Sequence, residues 1–228
     1  MNNSTAGIIF HRQFWHLLAL MILLAAAYIY ISNIEKASSG NFWGIGTETW
    51  YWIAISIAVC HQTYIWLIWR LELHLRLFTS RLGGMTAFKI YASGFLLFIS
   101  LRFTSLIILA MSNRDSMAID KLYFYIIAGL FLVIGFYVFY SLIRYFTIRR
   151  AIGIDHFIKE YDKPLVRDGI FRYSSNGMYA YGLLLFYVPG LILLSHAAFA
   201  AALFYHIYIW VHYYCTEKPD MTTIYSQD

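Results

Sequence analysis

Two short polar segments hold the side chains with the most chemistry to offer. The first runs from Gly153, Asp155 and His156 to Gly169, Arg172, Tyr173, Asn176 and Tyr179. The second, HYYCTEKPDMTTIY, carries His212, Glu217 and Asp220 close together. A carboxylate here can accept hydroxyl hydrogen bonds, as from a ribose, or attract a cation. Arg172 has the planar fork that grips a carboxylate in bidentate fashion. Gly153 and Gly169 let backbone approach a ligand closely. Each segment also has a plainer reading. The first would be a basic loop, with Arg172 near lipid phosphates and its tyrosines at the membrane interface. The second would carry solvated tail charges. No metal is expected. His206 and His212 lie six residues apart, about 600° of helical rotation, and face different ways. No HExxH or CxxC spacing occurs.

The elements that must position these residues are apolar. Of 228 residues, 61% are hydrophobic and 13% charged, far from the balance of a soluble domain, so lipid must solvate much of the chain. Runs long enough to cross the hydrocarbon as helix lie at 14–32, 50–69, 90–112 and 122–143. Shorter ones at 178–194 and 197–214 are separated by Ser195 and His196 and form a hairpin, with a kink expected at Pro189 and Gly190. The runs are continuous rather than alternating, which excludes a barrel. The expected fold is all-α: one integral membrane domain over 1–228 with about six transmembrane helices. Four N-terminal spans fill 1–143, and 144–228 form the core that carries both polar segments. The first run is long for a signal peptide and lacks a clean cleavage site, so it reads as a retained span. Cys60 and Cys215 read as reduced packing residues.

Lys and Arg set the orientation. The 70–89 and 144–172 segments hold Arg70, Arg76, Arg81, Lys89, Arg144, Arg149, Arg150, Lys159, Lys163, Arg167 and Arg172, against Lys36, Arg114 and Lys121 on the other side. Both termini and both polar segments are therefore expected in the cytoplasm. The net charge of +5 follows the same bias and points to a membrane's inner face rather than nucleic acid. A hairpin of two short spans brings its ends together, so the two polar segments should meet at one membrane surface. Inside the membrane, Arg102 stands alone among charges in the third run, and Glu72 lies just past the second. Such a charge is a candidate substrate contact or a structural partner of another span.

At these residues the chain resembles the membrane methyltransferases that use S-adenosylmethionine, among them the phosphatidylethanolamine N-methyltransferases and isoprenylcysteine carboxyl methyltransferases. Their first box, roughly G-x-[FY]-R-[YF]-x-R-[HN]-P-x-Y, is matched by Gly169 to Tyr179. Their second, E-E-P-F-x-x-x-I-Y, is matched by Glu217 to Tyr225. The run Ile154 to Phe157 looks like a G-D-Y-F element, followed by Lys159 and Glu160. Ser175, Gly177 and Lys218 depart from the pattern, replacing an arginine, a proline and the second glutamate. The resemblance covers about residues 150–228. It implies that S-adenosylmethionine binds between the boxes and leaves as S-adenosylhomocysteine. Tyr173, Asn176, Tyr179 and His212 would line the pocket, Glu217 would lie near the cofactor, and Arg172 would meet its carboxylate. Glu217, Asp155 or His156 would assist loss of a proton from the acceptor, with Arg102 toward the substrate. A lipid or lipophilic acceptor follows, foremost an amine headgroup such as phosphatidylethanolamine. A prenylcysteine carboxylate, a small thiol, or a non-enzymatic membrane protein or transporter are the alternatives. The few intramembrane charges and the lack of matched broken helices speak against a transporter.

Overall fold

The computed structural model describes residues 5–118, 120–159 and 166–225. Lys163 and Glu160, used above, lie outside these. Of the described residues 82% are helical, and the described strands are a two-residue pair, Asn41–Phe42 against Ile45–Gly46. This is the expected helical architecture. Among the described residues, four helices are long and apolar enough to cross a membrane: α1 (Gln13–Asn33), α2 (Thr47–Leu75), α3 (Gly84–Ser112) and α4 (Lys121–Ser141), the last running on through a π turn to Phe146. The final two apolar runs are shorter, α5 (Met178–Ile192) and α6 (His196–His212). The outer faces of α1 and α4 expose Phe14, Ile22, Leu122 and Val133, as lipid-facing surfaces do.

The helices meet through small residues. Ala197, Ala198, Ala201 and Ala202 of α6 are fully buried with Ala54 and Ala58 of α2, so backbones approach closely where lipid offers no hydrophobic driving force between helices. The Tyr205 hydroxyl donates to the Ala54 carbonyl at 2.9 Å across this seam. At the end away from the polar segments, buried Asn113 ties the loops together. Its amide donates to the carbonyls of Lys36 and Ser39, and its oxygen accepts from Ser195 and from the Ala197 N–H.

Two helices show detail that the apolar runs alone do not give. Helix α2 continues past its apolar run because Arg70 and Glu72 are both buried. The Glu72 carboxylate accepts from the backbone N–H of Phe78 at 3.0 Å and from Thr79. It thus closes the turn that follows α2. Pro189 does not kink an α-helix. Helix α5 begins as a π turn (Met178–Gly182), tightens to a 3-10 stretch (Leu183–Tyr187), and is α-helical only over Val188–Ile192. Proline there sits in the first turn, where a missing N–H costs nothing.

Candidate functional site

Pro219 shapes the end of the chain. It has no N–H, so the Cys215 carbonyl four residues earlier loses its α-helical partner. The helix widens there into a π turn, Tyr213–Glu217, before continuing as α7 (Lys218–Tyr225). Gln13 of α1 and Arg70 of α2 donate to the freed Cys215 carbonyl at 3.4 Å each. Arg70 also donates to Ile8 at 3.0 Å and lies 2.7 Å from the Asp220 carboxylate. Both members of this ion pair are almost fully buried. Asp220, which reads as a ligand-binding carboxylate or a tail charge, and Arg70, which reads as a loop charge, clamp α7 against α2.

The pair extends into a network. His156 lies 3.6 Å from Asp220 and 3.6 Å from Asp155. Asp155 accepts from Tyr225 at 2.8 Å, and Tyr225 accepts from Arg150 at 3.1 Å. The His156 ring stacks on Trp69 at 4.2 Å. Gly153, at φ 92°, lets this turn settle there, since a Cβ would meet the Trp69 ring at 2.5 Å. The close approach this glycine permits is thus to Trp69.

Burial alone would push the His156 pKa down. The two carboxylates beside it outweigh that and raise it to about 9. Burial likewise pushes Asp155 up, yet His156 and Tyr225 hold it below the usual carboxylate range. A histidine with a raised folded pKa stabilises fully below its ordinary value of 6.5 and loses that contribution as pH rises through about 9. Thermal unfolding in detergent is therefore expected to weaken between pH 6.5 and 9, by up to roughly 3 kcal/mol. A His156→Gln variant should lack this slope. A wild-type unfolding midpoint that stays flat across the window would remove the charged histidine from the network.

Glu217 occupies the last position of its π turn. Tyr179 occupies the second position of the π turn that opens α5, and its hydroxyl donates to the Glu217 carboxylate. The main-chain oxygen of Asn176 accepts from the N–H groups of Tyr179 and Ala180, at 2.9 and 3.0 Å, and so seats the turn that carries Tyr179. Part of the Glu217 surface stays accessible, but protein crowds the carboxylate. Burial raises its pKa, Tyr179 and His156 pull it back, and it settles at about 7. His212, earlier on the same helix, is almost fully buried, with no hydrogen-bond partner on either ring nitrogen among the described residues.

The structure thus brings Gly153, Asp155, His156, Tyr179, His212 and Glu217 to one end of the bundle. Gly169, Arg172 and Tyr173 sit apart from this cluster. Gly169, at φ 60°, packs on Ser141, whose hydroxyl accepts from the Ile170 N–H at 3.1 Å. Arg172 and Tyr173 are exposed, and Arg172 makes no hydrogen bond or ion pair among the described residues. Trp69, Arg70 and Tyr225 complete the cluster. The sequence offered Tyr225 as part of the second box, but gave no sign that Trp69 and Arg70 reach it from the end of a different span.

A cavity of about 130 Å³ adjoins the cluster, lined by Tyr179, His212, Trp69, His61, Gln62 and Arg102. A larger one, about 750 Å³, lies at the far end of the bundle against Leu23, Tyr30, Lys36, His196 and Phe204. It holds none of the candidate residues, so size does not mark the site. The side chains of the cluster suit S-adenosylmethionine. Glu217 offers a carboxylate to a cation or to ribose hydroxyls, and the unpartnered His212 nitrogens offer donor and acceptor.

Residues 123–228 match the family model of the phospholipid methyltransferases, consistent with the membrane methyltransferase superfamily. No curated protein and no solved structure matches the chain. The matched segment begins in α4 and includes both polar boxes.

Proposed function

We propose that this chain is an integral membrane methyltransferase that uses S-adenosylmethionine and acts on a lipid, foremost on an amine headgroup such as that of phosphatidylethanolamine. The observation that carries the proposal is the pairing of Tyr179 and Glu217 across two π turns. It joins the two boxes on a carboxylate, inside the segment that matches the phospholipid methyltransferases. When bound, the cofactor supplies a methyl group on a cationic sulfur, open to in-line displacement by a lone pair of the acceptor.

Glu217, Tyr179 and His212 would hold the cofactor, with Glu217 opposite its positive charge. Exposed Arg172 remains free to meet the cofactor's carboxylate, and Tyr173 lies beside it. An amine acceptor must lose a proton before its lone pair can attack. Asp155 and His156 are committed to one another, to Tyr225 and to Asp220. Glu217, with a pKa of about 7, is thus the better proton acceptor, and Asp155 and His156 act by positioning. Alignment and exclusion of water supply most of the remaining catalysis. The Lys and Arg bias of the loops supports a cytoplasmic site with both termini on that side.

Calorimetry on detergent-purified protein tests the reading. Micromolar binding of S-adenosylmethionine and S-adenosylhomocysteine is expected, followed by transfer of labelled methyl to phosphatidylethanolamine in vesicles. Folded protein that binds neither compound would sink it.

A further inference from the structure

Arg102 is the lone charge in the apolar stretch 90–112 of α3. It lies 18 residues past Gly84, about 27 Å along the helix, and is 3% exposed. Its guanidinium packs over the rings of Tyr205 at 4.3 Å and Phe186 at 4.8 Å. It makes no hydrogen bond or ion pair with any described residue, and its Nε has no partner. Ring faces offset only part of the cost of taking a guanidinium out of water. An arginine kept in such a place needs an anion.

The surroundings repeat the demand. His61 of α2 stacks on Phe98 at 5.4 Å, and neither of its ring nitrogens has a partner. His212 is in the same state, and the Gln62 side-chain oxygen is unpartnered too. These residues line one cavity with Arg102, and among the described residues no Asp or Glu belongs to its wall. Tyr179 lines it as well and donates to Glu217 outside it. The cavity therefore runs from a cation with no described counter-charge to Tyr179, the partner of the Glu217 carboxylate. At about 130 Å³ it has room for one charged group rather than a whole ligand.

We infer that this cavity is the acceptor subsite and that Arg102, assisted by His61, binds an anionic oxygen group of a lipophilic acceptor, a phosphodiester or a carboxylate. As an acceptor subsite it rests on the methyltransferase reading. An acceptor with its anion at Arg102 presents its nucleophile toward Tyr179 and Glu217. A purely cationic or uncharged amphiphile leaves the guanidinium unpaired and is excluded.

The test is thermal unfolding of the full chain in maltoside detergent with graded additions of dioctanoyl phosphatidylethanolamine, oleate or dodecylamine. S-adenosylhomocysteine is titrated alongside. At least one of the first two probes should raise the midpoint of the wild type in a saturable way, and dodecylamine should not. Whichever acts at the lower concentration identifies phosphodiester or carboxylate as the preferred source. Arg102→Gln should abolish the shift, and Arg102→Lys should raise the half-saturating concentration at least tenfold. Without probe, Arg102→Gln should unfold no lower than the wild type, because it removes an uncompensated buried charge. A sharp fall would mark the arginine as structural and overturn the proposal, as would a probe shift that survives Arg102→Gln. No shift with either anionic probe overturns it too. If S-adenosylhomocysteine still stabilises the protein in that case, the methyltransferase reading stands alone. If the anions stabilise and S-adenosylhomocysteine does not, the anion site stands and its role as an acceptor subsite falls.

Discussion

Replacing Glu217 by alanine is expected to lower kcat/KM for methyl transfer by about 10²–10³, the loss that follows removal of one preorganised electrostatic group from a buried site. The protein should stay folded. Glu217→Gln keeps the size of the side chain and a partner for the Tyr179 hydroxyl but removes the charge, so its loss should approach that of alanine. Tyr179→Phe keeps the charge and loses the bond, and roughly tenfold is expected. The order of the three variants decides whether charge or geometry carries the site. Protonation adds a second signature. Glu217 is ionised only above about pH 7, so activity should rise with pH through that value, and the rising limb should vanish in Glu217→Gln. Stability runs the other way. A carboxyl group whose folded pKa is raised above 4.5 destabilises the fold as pH climbs from there through about 7. Glu217→Gln should therefore be the more stable protein above neutrality, as is common where a site holds a strained group for function. Near-normal turnover in both Glu217 variants would remove this residue from the chemistry.

Much of the helical frame was legible because apolar runs and helix length obey one constraint, the thickness of the hydrocarbon. Helices α1 and α4 fall where hydropathy puts them, and α2 and α3 run past their apolar stretches into the 70–89 segment. Helix α5 was legible as an apolar segment but not in its form. The change from π to 3-10 to α follows from packing against α4 and from the turn that seats Tyr179, neither of which leaves a periodic trace. In the site, the meeting of the two boxes followed from hairpin geometry alone. The partners of the charged residues did not. In the sequence Arg70 reads as a loop cation because it stands at the end of an apolar run, and Asp220 reads either as a ligand-binding carboxylate or as a tail charge. Each is buried only because the other lies opposite it, a relation between residues far apart in the chain that neither local sequence encodes. Arg102 was the exception. A lone charge in a span is conspicuous whatever its surroundings, and the structure adds the unpartnered histidines beside it.

Asp220→Ala is expected to cost about 3–5 kcal/mol, the usual consequence of leaving one member of a buried ion pair without its partner. Against a total stability of roughly 5–15 kcal/mol, that is enough to release α7. The reason lies in how much Arg70 holds. Besides Asp220, it donates to the carbonyls of Ile8, Cys215 and Thr216, so it joins the N-terminal segment, α2 and the last turn before α7. Without the carboxylate, the guanidinium stays buried with carbonyl oxygens alone, and His156 loses one of its two acidic neighbours. Arg70→Ala should cost at least as much, because it takes the counter-charge from Asp220 and a donor from three carbonyls together. The double variant Arg70→Met with Asp220→Leu should recover part of the loss, since both charges leave at once. The coupling energy between the two sites should then be clearly nonzero. Activity should follow stability here, unlike at Glu217. Once α7 detaches, Glu217 is no longer held opposite Tyr179, and cofactor affinity falls with the carboxylate chemically intact. Unfolding midpoints in detergent and proteolysis of the C-terminal helix measure the first effect, and S-adenosylhomocysteine binding measures the second. An Asp220→Ala protein that melts like the wild type would mean the clamp is not what fixes Glu217. The position of that carboxylate would then have to come from the Tyr179 bond and the π turns alone.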